Sequence, residues 1–470
     1  MSEQTLNLAV VGHTNTGKTS LLRTLTRDPT FGEVLDSPGT TRHVEGARLR
    51  VDGQPLLALY DTPGLEDSMA LLDYLEQHSA SGERLDGPER IARFLASPVA
   101  QTRFEQEARV LQKLLASDAG LYVIDVRDPV LSKHKDELFL LSLCGRPLLP
   151  VLNFMHSEQA RTQEWRQALA RLGLHALAEF DTVAPALDGE AVLYDKLAVL
   201  LETHAGLLKT VKLDLQQQAT QRRHAAMRLL AELLIDAAAL CLRCEDDEGA
   251  RNAATVLLQE RLVARENTCV RAMLQCYNFG PRDVLTELPH FDGQHWGMDL
   301  FDPEAVKEFG VRVGKGMAAG AVAGATVDVL TGGLSLGMGT MLGAVAGGMW
   351  QGAESWGGRL LGKLRGEVEL RADESVLRLL AVRQLRLVHA LERRGHAAQQ
   401  PIQLSTAQAT YDQGEQLGEQ VAWRERTLPE ALRQARAHPA WSTLDPQYVV
   451  GADERREQAI QRLLAQLLTP

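Results

Sequence analysis

The run Gly12-His13-Thr14-Asn15-Thr16-Gly17-Lys18-Thr19 constrains this chain more than any other stretch. Its spacing is G-x-x-x-x-G-K-T, with an apolar run from Leu6 to Val11 before it and a helix-like run from Ser20 to Leu25 after it. A strand, a glycine loop and a helix in that order bring backbone N–H groups together at a helix N-terminus. The partial positive charge of the helix favours phosphate there. The spacing predicts a phosphate-binding loop in which Lys18 reaches the β- and γ-phosphates of a nucleotide and the Thr19 hydroxyl binds Mg²⁺. Asn15, Thr16, Gly17 and Ser20 are the neighbouring positions expected to line the phosphates.

Two further segments fit the same ligand. Leu56 to Tyr60 is an apolar run that ends in Asp61-Thr62-Pro63-Gly64. An acid at a strand end beside a phosphate loop is placed to hold Mg²⁺, directly or through water, and Gly64 lets a backbone N–H approach the γ-phosphate. Between them lies Gly39-Thr40-Thr41-Arg42-His43, a threonine-rich loop able to add a hydroxyl to Mg²⁺.

With these three segments in place, residues 5–204 resemble the Era/TrmE group of translation-factor-type GTPases. The resemblance implies binding of GTP and GDP with Mg²⁺, and hydrolysis of GTP. It implies that Thr41 is the magnesium-binding switch residue, and that Asn15 matches an asparagine with which several members hold K⁺. Leu65 stands where Ras-type enzymes carry a water-orienting glutamine. Slow intrinsic hydrolysis follows, waiting on a cation, a partner in a homodimer through the G domain, or an effector.

The guanine end departs from the group. Pro147 to Phe154 reads as a strand ending in Asn153-Phe154-Met155-His156, where the group shows N-K-x-D. Asn153 is kept, but Phe154 replaces the lysine that packs over the base. His156 replaces the aspartate that takes two hydrogen bonds from guanine. The resemblance places the backbone N–H of Ala186, in Pro185-Ala186-Leu187-Asp188-Gly189, at the guanine O6. A segment from Glu66 to Arg103 is long for its place and reads either as a spacer or as an effector-facing switch insertion. Strands and helices alternate through about residue 205. The fold class expected is α/β, a doubly wound P-loop GTPase sheet, followed over 206–470 by an all-α domain.

The second half shows long helical periodicities: Leu207 to Cys244, Arg251 to Tyr277, Arg371 to Arg394 and Glu454 to Leu468. Cys241 and Cys244, a C-x-x-C pair, fall inside the first and are read as buried helix cysteines rather than zinc ligands. From Gly314 to Trp350, Gly316, Gly320 and Gly324 repeat at intervals of four, as do Gly339, Gly343 and Gly347. Glycine costs about 1 kcal/mol per helix position relative to alanine, so such ridges suit a glycine-zipper hairpin of closely packed helices. No charge interrupts Val329 to Ala353, and Arg359, Lys363 and Arg365 follow. That pattern leaves two expectations: contact with a membrane surface or an integral membrane protein, or a soluble hairpin. The net charge of −11 gives no strong nucleic-acid signal and weighs against a soluble ribosome- or RNA-assembly role, which is one alternative to a switch; a nucleotide-binding module with negligible turnover is the other. Five cysteines and the absence of a secretory pattern at Met1 point to the cytoplasm, with peripheral or inserted attachment at the inner membrane as an extension.

Overall fold

The computed structural model describes residues 5–28, 31, 45–78, 85–280, 283, 300–301, 327–329, 367–398, 402, 423, 427–446, 448–451 and 453–469. The chain divides into two compact units, the first comprising 1–220 and 392–400, the second 221–391 and 401–470.

The first unit is built on a six-stranded sheet. Its strands are β1 (Leu6–Val11), β2 (Glu45–Val51), β3 (Gln54–Asp61), β4 (Ala119–Asp125), β5 (Leu148–Asn153) and β6 (Ala178–Glu179), in the order β2-β3-β1-β4-β5-β6. All neighbours are parallel except the edge pair β2–β3, so the sheet is mixed. The central strands are apolar on both faces. In β1, Ala9 and Val11 enter one core, while Leu6, Leu8 and Val10 enter the other. A strand covered on both sides reads as a continuous hydrophobic run, as Leu6 to Val11 does. Edge strand β2 alternates instead. Ala47, Leu49 and Val51 pack on a core while Arg48 and Arg50 stay exposed, which keeps a charged rim on the sheet edge.

Helices α1 (Lys18–Thr26), α2 (Ser68–Gln77), α3 (Gly87–Leu95), α4 (Glu105–Leu115), α5 (Ser132–Ser142), α6 (Thr162–Arg171) and α7 (Gly189–Leu200) accompany this sheet. The stretch from Glu66 to Arg103 is ordered structure over its described parts. Leu71 and Leu75 of α2 and Ile91 and Phe94 of α3 belong to the same core as Leu65. Asp86 caps α3 through the Glu89 amide at 2.9 Å, and Glu89 returns a bond to the Asp86 amide.

Helix α8 (Ala205–Ala239) runs 35 residues, and the division between the units falls within it. The second unit is largely helical, with α9 (Glu248–Cys276), α10 (Glu374–Glu392), α11 (Glu430–Ala437) and α12 (Glu454–Leu468) around one core. It is not all-α. Strands β7 (Cys241–Glu245), β8 (Val327–Val329) and β9 (Glu367–Ala372) form an antiparallel sheet in the order β7-β9-β8. Cys241 and Cys244 therefore sit half-buried in a strand and not buried in a helix, and Arg371 lies in β9 ahead of α10. Of the stretch 314–350, only Val327–Val329 is described, as a strand. The glycine ridges and their hairpin lie outside the described residues. Among those residues, no helix is long and apolar enough to cross a membrane.

Candidate functional site

The site gathers at the carboxyl ends of β1, β3, β4 and β5. Gly12 follows β1 and the loop turns into α1 at Lys18. Gly17 has φ +93°, and a Cβ there would strike the Asn153 amide nitrogen, so only glycine serves at this turn. Asn15 is also left-handed, at φ 63°. The Thr16 hydroxyl donates to the His13 carbonyl at 3.0 Å, closing the loop on itself. Lys18 curls back over it, Nζ donating to the Gly12 and His13 carbonyls at 3.2 and 2.7 Å. Burial pulls the Lys18 ammonium down to about 8, against the opposing attraction of Asp61, Glu137 and Glu66.

The Thr19 hydroxyl donates to Asp61 Oδ2 at 2.5 Å. A hydroxyl and a carboxylate at the start of α1 and the end of β3 are the oxygen donors a hard cation takes, and they fit Mg²⁺. Thr41 lies outside the described residues. Gly64 abuts the loop so closely that a Cβ would come within 2.7 Å of the Thr14 Cα. The next amide, Leu65 N–H, donates to the Gly12 carbonyl at 3.2 Å, while the Leu65 side chain is fully buried. The side chain of this residue thus offers no polar group to a water. The segment after it is pinned by Glu107 of α4, whose Oε1 accepts from the Glu66 and Asp67 amides at 3.2 and 3.0 Å.

Beneath the loop lies a polar cluster that residue spacing alone does not reveal. His13 Nδ1 lies 2.7 Å from Glu137 Oε1, and the Tyr122 hydroxyl donates to Glu137 Oε2 at 2.8 Å. Lys133 Nζ donates to His13 Nε2 at 2.8 Å. An ammonium donating to Nε2 leaves the ring proton on Nδ1, facing Glu137. Burial, with Glu137 beside it, pushes the Tyr122 phenol well above its usual range, so it stays a donor.

The end at which a base is expected is organised by Asn153. Its Nδ2 donates to the Thr16 carbonyl at 3.0 Å, while Oδ1 accepts from the amides of Phe154 and Thr182, both at 2.9 Å, and from the Thr182 hydroxyl at 3.1 Å. This one amide ties the phosphate loop to the loops after β5 and β6. Phe154 is left-handed, at φ 61°, and its ring reaches the phosphate loop at Gly17. The Arg127 guanidinium stacks on that ring at 4.0 Å while chelating Asp125. His156 is exposed, and its backbone N–H donates to Asp181 Oδ2 at 3.3 Å. The loop that meets Asn153 is 181–184, and Ala186 lies beyond it, exposed. Ser20 is buried in the first turn of α1.

A six-stranded sheet of this order, with a glycine loop between β1 and α1 and an Asp-Thr-Pro-Gly turn after β3, defines a P-loop GTPase domain. The sequence profile of the 50S ribosome-binding GTPase family matches residues 7–154, and the domain is of the Era/Der/MnmE type. Residues 166–466, more than half of the chain, match the family described as a domain of unknown function, DUF3482, and the chain belongs to that family.

Among similar proteins, GTPase Der of Xylella fastidiosa (strain 9a5c) is 32% identical over 151 residues, 31% of this chain and 25% of Der. The tRNA modification GTPase MnmE of Orientia tsutsugamushi (strain Boryong) is 48% identical over 62 residues, 13% of each chain. A crystal structure of Era in complex with MgGDPNP and nucleotides 1506–1542 of 16S ribosomal RNA is 17% identical, with a TM-score of 0.30. That match covers 41% of this chain and 56% of Era. The chain spans about a quarter of the length of the Der relative.

Proposed function

We propose that this protein is a Mg²⁺-dependent switch that binds GTP, hydrolyses it to GDP and phosphate, and relays occupancy of its nucleotide slot to the C-terminal region. The nucleotide chemistry is supported by Lys18, Thr19 and Asp61 converging at the phosphate loop. Thr41 would supply the switch hydroxyl to Mg²⁺, and the Gly64 amide would meet the γ-phosphate. Mg²⁺, when bound, neutralises charge on the β- and γ-phosphates.

The relay rests on a single observation. Residues 392–400 belong to the GTPase unit although the chain before and after them belongs to the other unit. Within this strap the Gly395 amide donates to the Val183 carbonyl at 2.9 Å, and a Cβ at Gly395 would collide with the Thr182 carbonyl. Thr182 is bonded to Asn153. A nucleotide that orders the loop 181–184 therefore orders the strap, and the strap is continuous in sequence with α10.

Buried Leu65 orients no water, so turnover needs a further group. Asn15 holding K⁺, or a second copy of the G domain, would supply it. Phosphate release from GTP by the full chain should be slow in NaCl and several-fold faster in KCl, and Asn15→Ala should erase the difference. Equal rates in both salts would remove K⁺ from the account, and no turnover under any of these conditions would overturn the GTPase reading.

The effector side extends to residues 314–350. We infer contact there with a membrane or a membrane protein, supported by the uncharged glycine-rich run and its basic flank. Liposome flotation with anionic lipid and each nucleotide tests this. Recovery wholly in the soluble fraction would contradict it. Ribosome association is the second reading, favoured by the match to the 50S ribosome-binding GTPase family. Co-sedimentation with ribosomal particles under the same conditions would distinguish the two.

A further inference from the structure

The segment after β5 lacks the carboxylate that would recognise a guanine edge, since His156 stands in its place. A carboxylate nevertheless lies beside this segment, carried by the neighbouring strand end. Asp181 follows β6 and is buried, at 7% exposure. Its Oδ2 lies 3.3 Å from the His156 backbone nitrogen, beside the stem from which an aspartate at 156 would project. Its Oδ1 accepts from the Val183 and Ala184 amides at 2.9 and 3.1 Å. The adjacent residue, Thr182, is clamped by Asn153, which in turn holds the phosphate loop through Thr16. Asp181 is thus tied to the phosphate loop through Thr182 and Asn153.

We propose that Asp181 is the residue that selects guanine, replacing from β6 the carboxylate missing after β5. This rests on the GTPase reading above and specifies its base recognition. An ionised carboxylate offers about four acceptor positions, and three backbone donors from described residues leave Oδ2 able to take more. Guanine presents N1–H and the 2-amino group, two donors on one edge. Adenine presents a bare N1 and no 2-amino group, so a carboxylate there meets a lone pair and repels it. The same carboxylate holds the 183–184 amides as the wall of the slot. Thus one side chain carries both the selection and the shape of the loop to which the strap at Gly395 is bonded.

The test uses xanthine, which carries a carbonyl where guanine has the 2-amino group. A carboxamide at 181 donates to that carbonyl, whereas a carboxylate repels it. Competition binding on the full chain should show GTP preferred over both XTP and ATP in the wild type. Asp181→Asn should weaken GTP by about tenfold or more, the scale of one charge-assisted bond, and raise XTP above GTP. Adding His156→Asp to Asp181→Asn should restore GTP by returning a carboxylate from the other side. A purely structural role predicts instead that GTP and XTP fall together. Parallel loss, or no change in either, overturns the inference while leaving the GTPase reading intact. If Asp181→Asn binds no nucleotide, failure of His156→Asp to restore GTP also overturns it. A wild type that binds no guanine nucleotide overturns both.

Discussion

Lys18 carries the phosphate contact proposed for this site, and its environment sets a pH limit on that contact. Burial lowers the ammonium to about 8, so above that value the side chain is mostly a neutral amine. Phosphate binding needs the charged form. The charged fraction falls about tenfold between pH 7 and pH 9 for a group titrating near 8, and GTP affinity should fall by about the same factor. Binding near pH 8 should also take up a proton, seen as a dependence of the calorimetric heat on buffer ionisation enthalpy. An affinity flat from pH 7 to 9 would mean that Lys18 keeps its ordinary value. Lys18 was legible in the sequence because a phosphate loop is made from consecutive residues, and spacing alone fixes its geometry. Asp181 was not. It lies 25 residues beyond His156 and meets it only through the β5–β6 pairing. The one available signal was the missing acid at 156, which invites a search among acids at the next strand end. The Glu137 and Glu107 contacts were hidden for the same reason, since each joins residues brought together by the sheet and not by the chain.

Among the elements, those whose residues carry their own clear pattern were readable, and a strand whose residues continue a helix's pattern was not. Helix α12 spans Glu454–Leu468, as its periodicity predicts, and strand β1 spans Leu6–Val11. Strand β7 has no such independence. Its five residues follow a long helical run directly, and their partner β9 lies more than a hundred residues later. An apolar helix pattern runs into β7 without a glycine or proline to stop it, so a helix through Cys244 was the local expectation. The helices of the second unit are held together at Asp236 of α8, which is fully buried. It accepts from Arg265 of α9 at 2.8 Å, from Arg456 of α12 at 2.9 Å, and from the Thr443 hydroxyl at 2.7 Å. Removing one partner of a buried charge network leaves the others uncompensated, typically at about 3–5 kcal/mol. Asp236→Ala should therefore lower the denaturation midpoint of the second unit strongly, measured by circular dichroism in urea. An unchanged midpoint would show that the arginines are satisfied elsewhere.

At the scale of the whole molecule, a GTPase unit is interrupted in sequence by most of a helical unit and recovers nine residues, 392–400, from its far side. This return of the chain could not be read from composition or periodicity, because Glu392 to Gln400 has neither an apolar run nor a motif. It supplies the physical route for the switch proposed above. Asn153, the loop 181–184 and the strap are joined by the Asn153–Thr182 and Val183–Gly395 bonds. Hydrogen exchange on the full chain, empty and loaded with GDP or with a non-hydrolysable GTP analogue in Mg²⁺, tests that route directly. The amides of 392–398 should exchange more slowly in both loaded states than in the empty one, and Gly395→Leu should abolish the difference while nucleotide still binds. Exchange across 392–398 that is the same with and without bound nucleotide would contradict the relay.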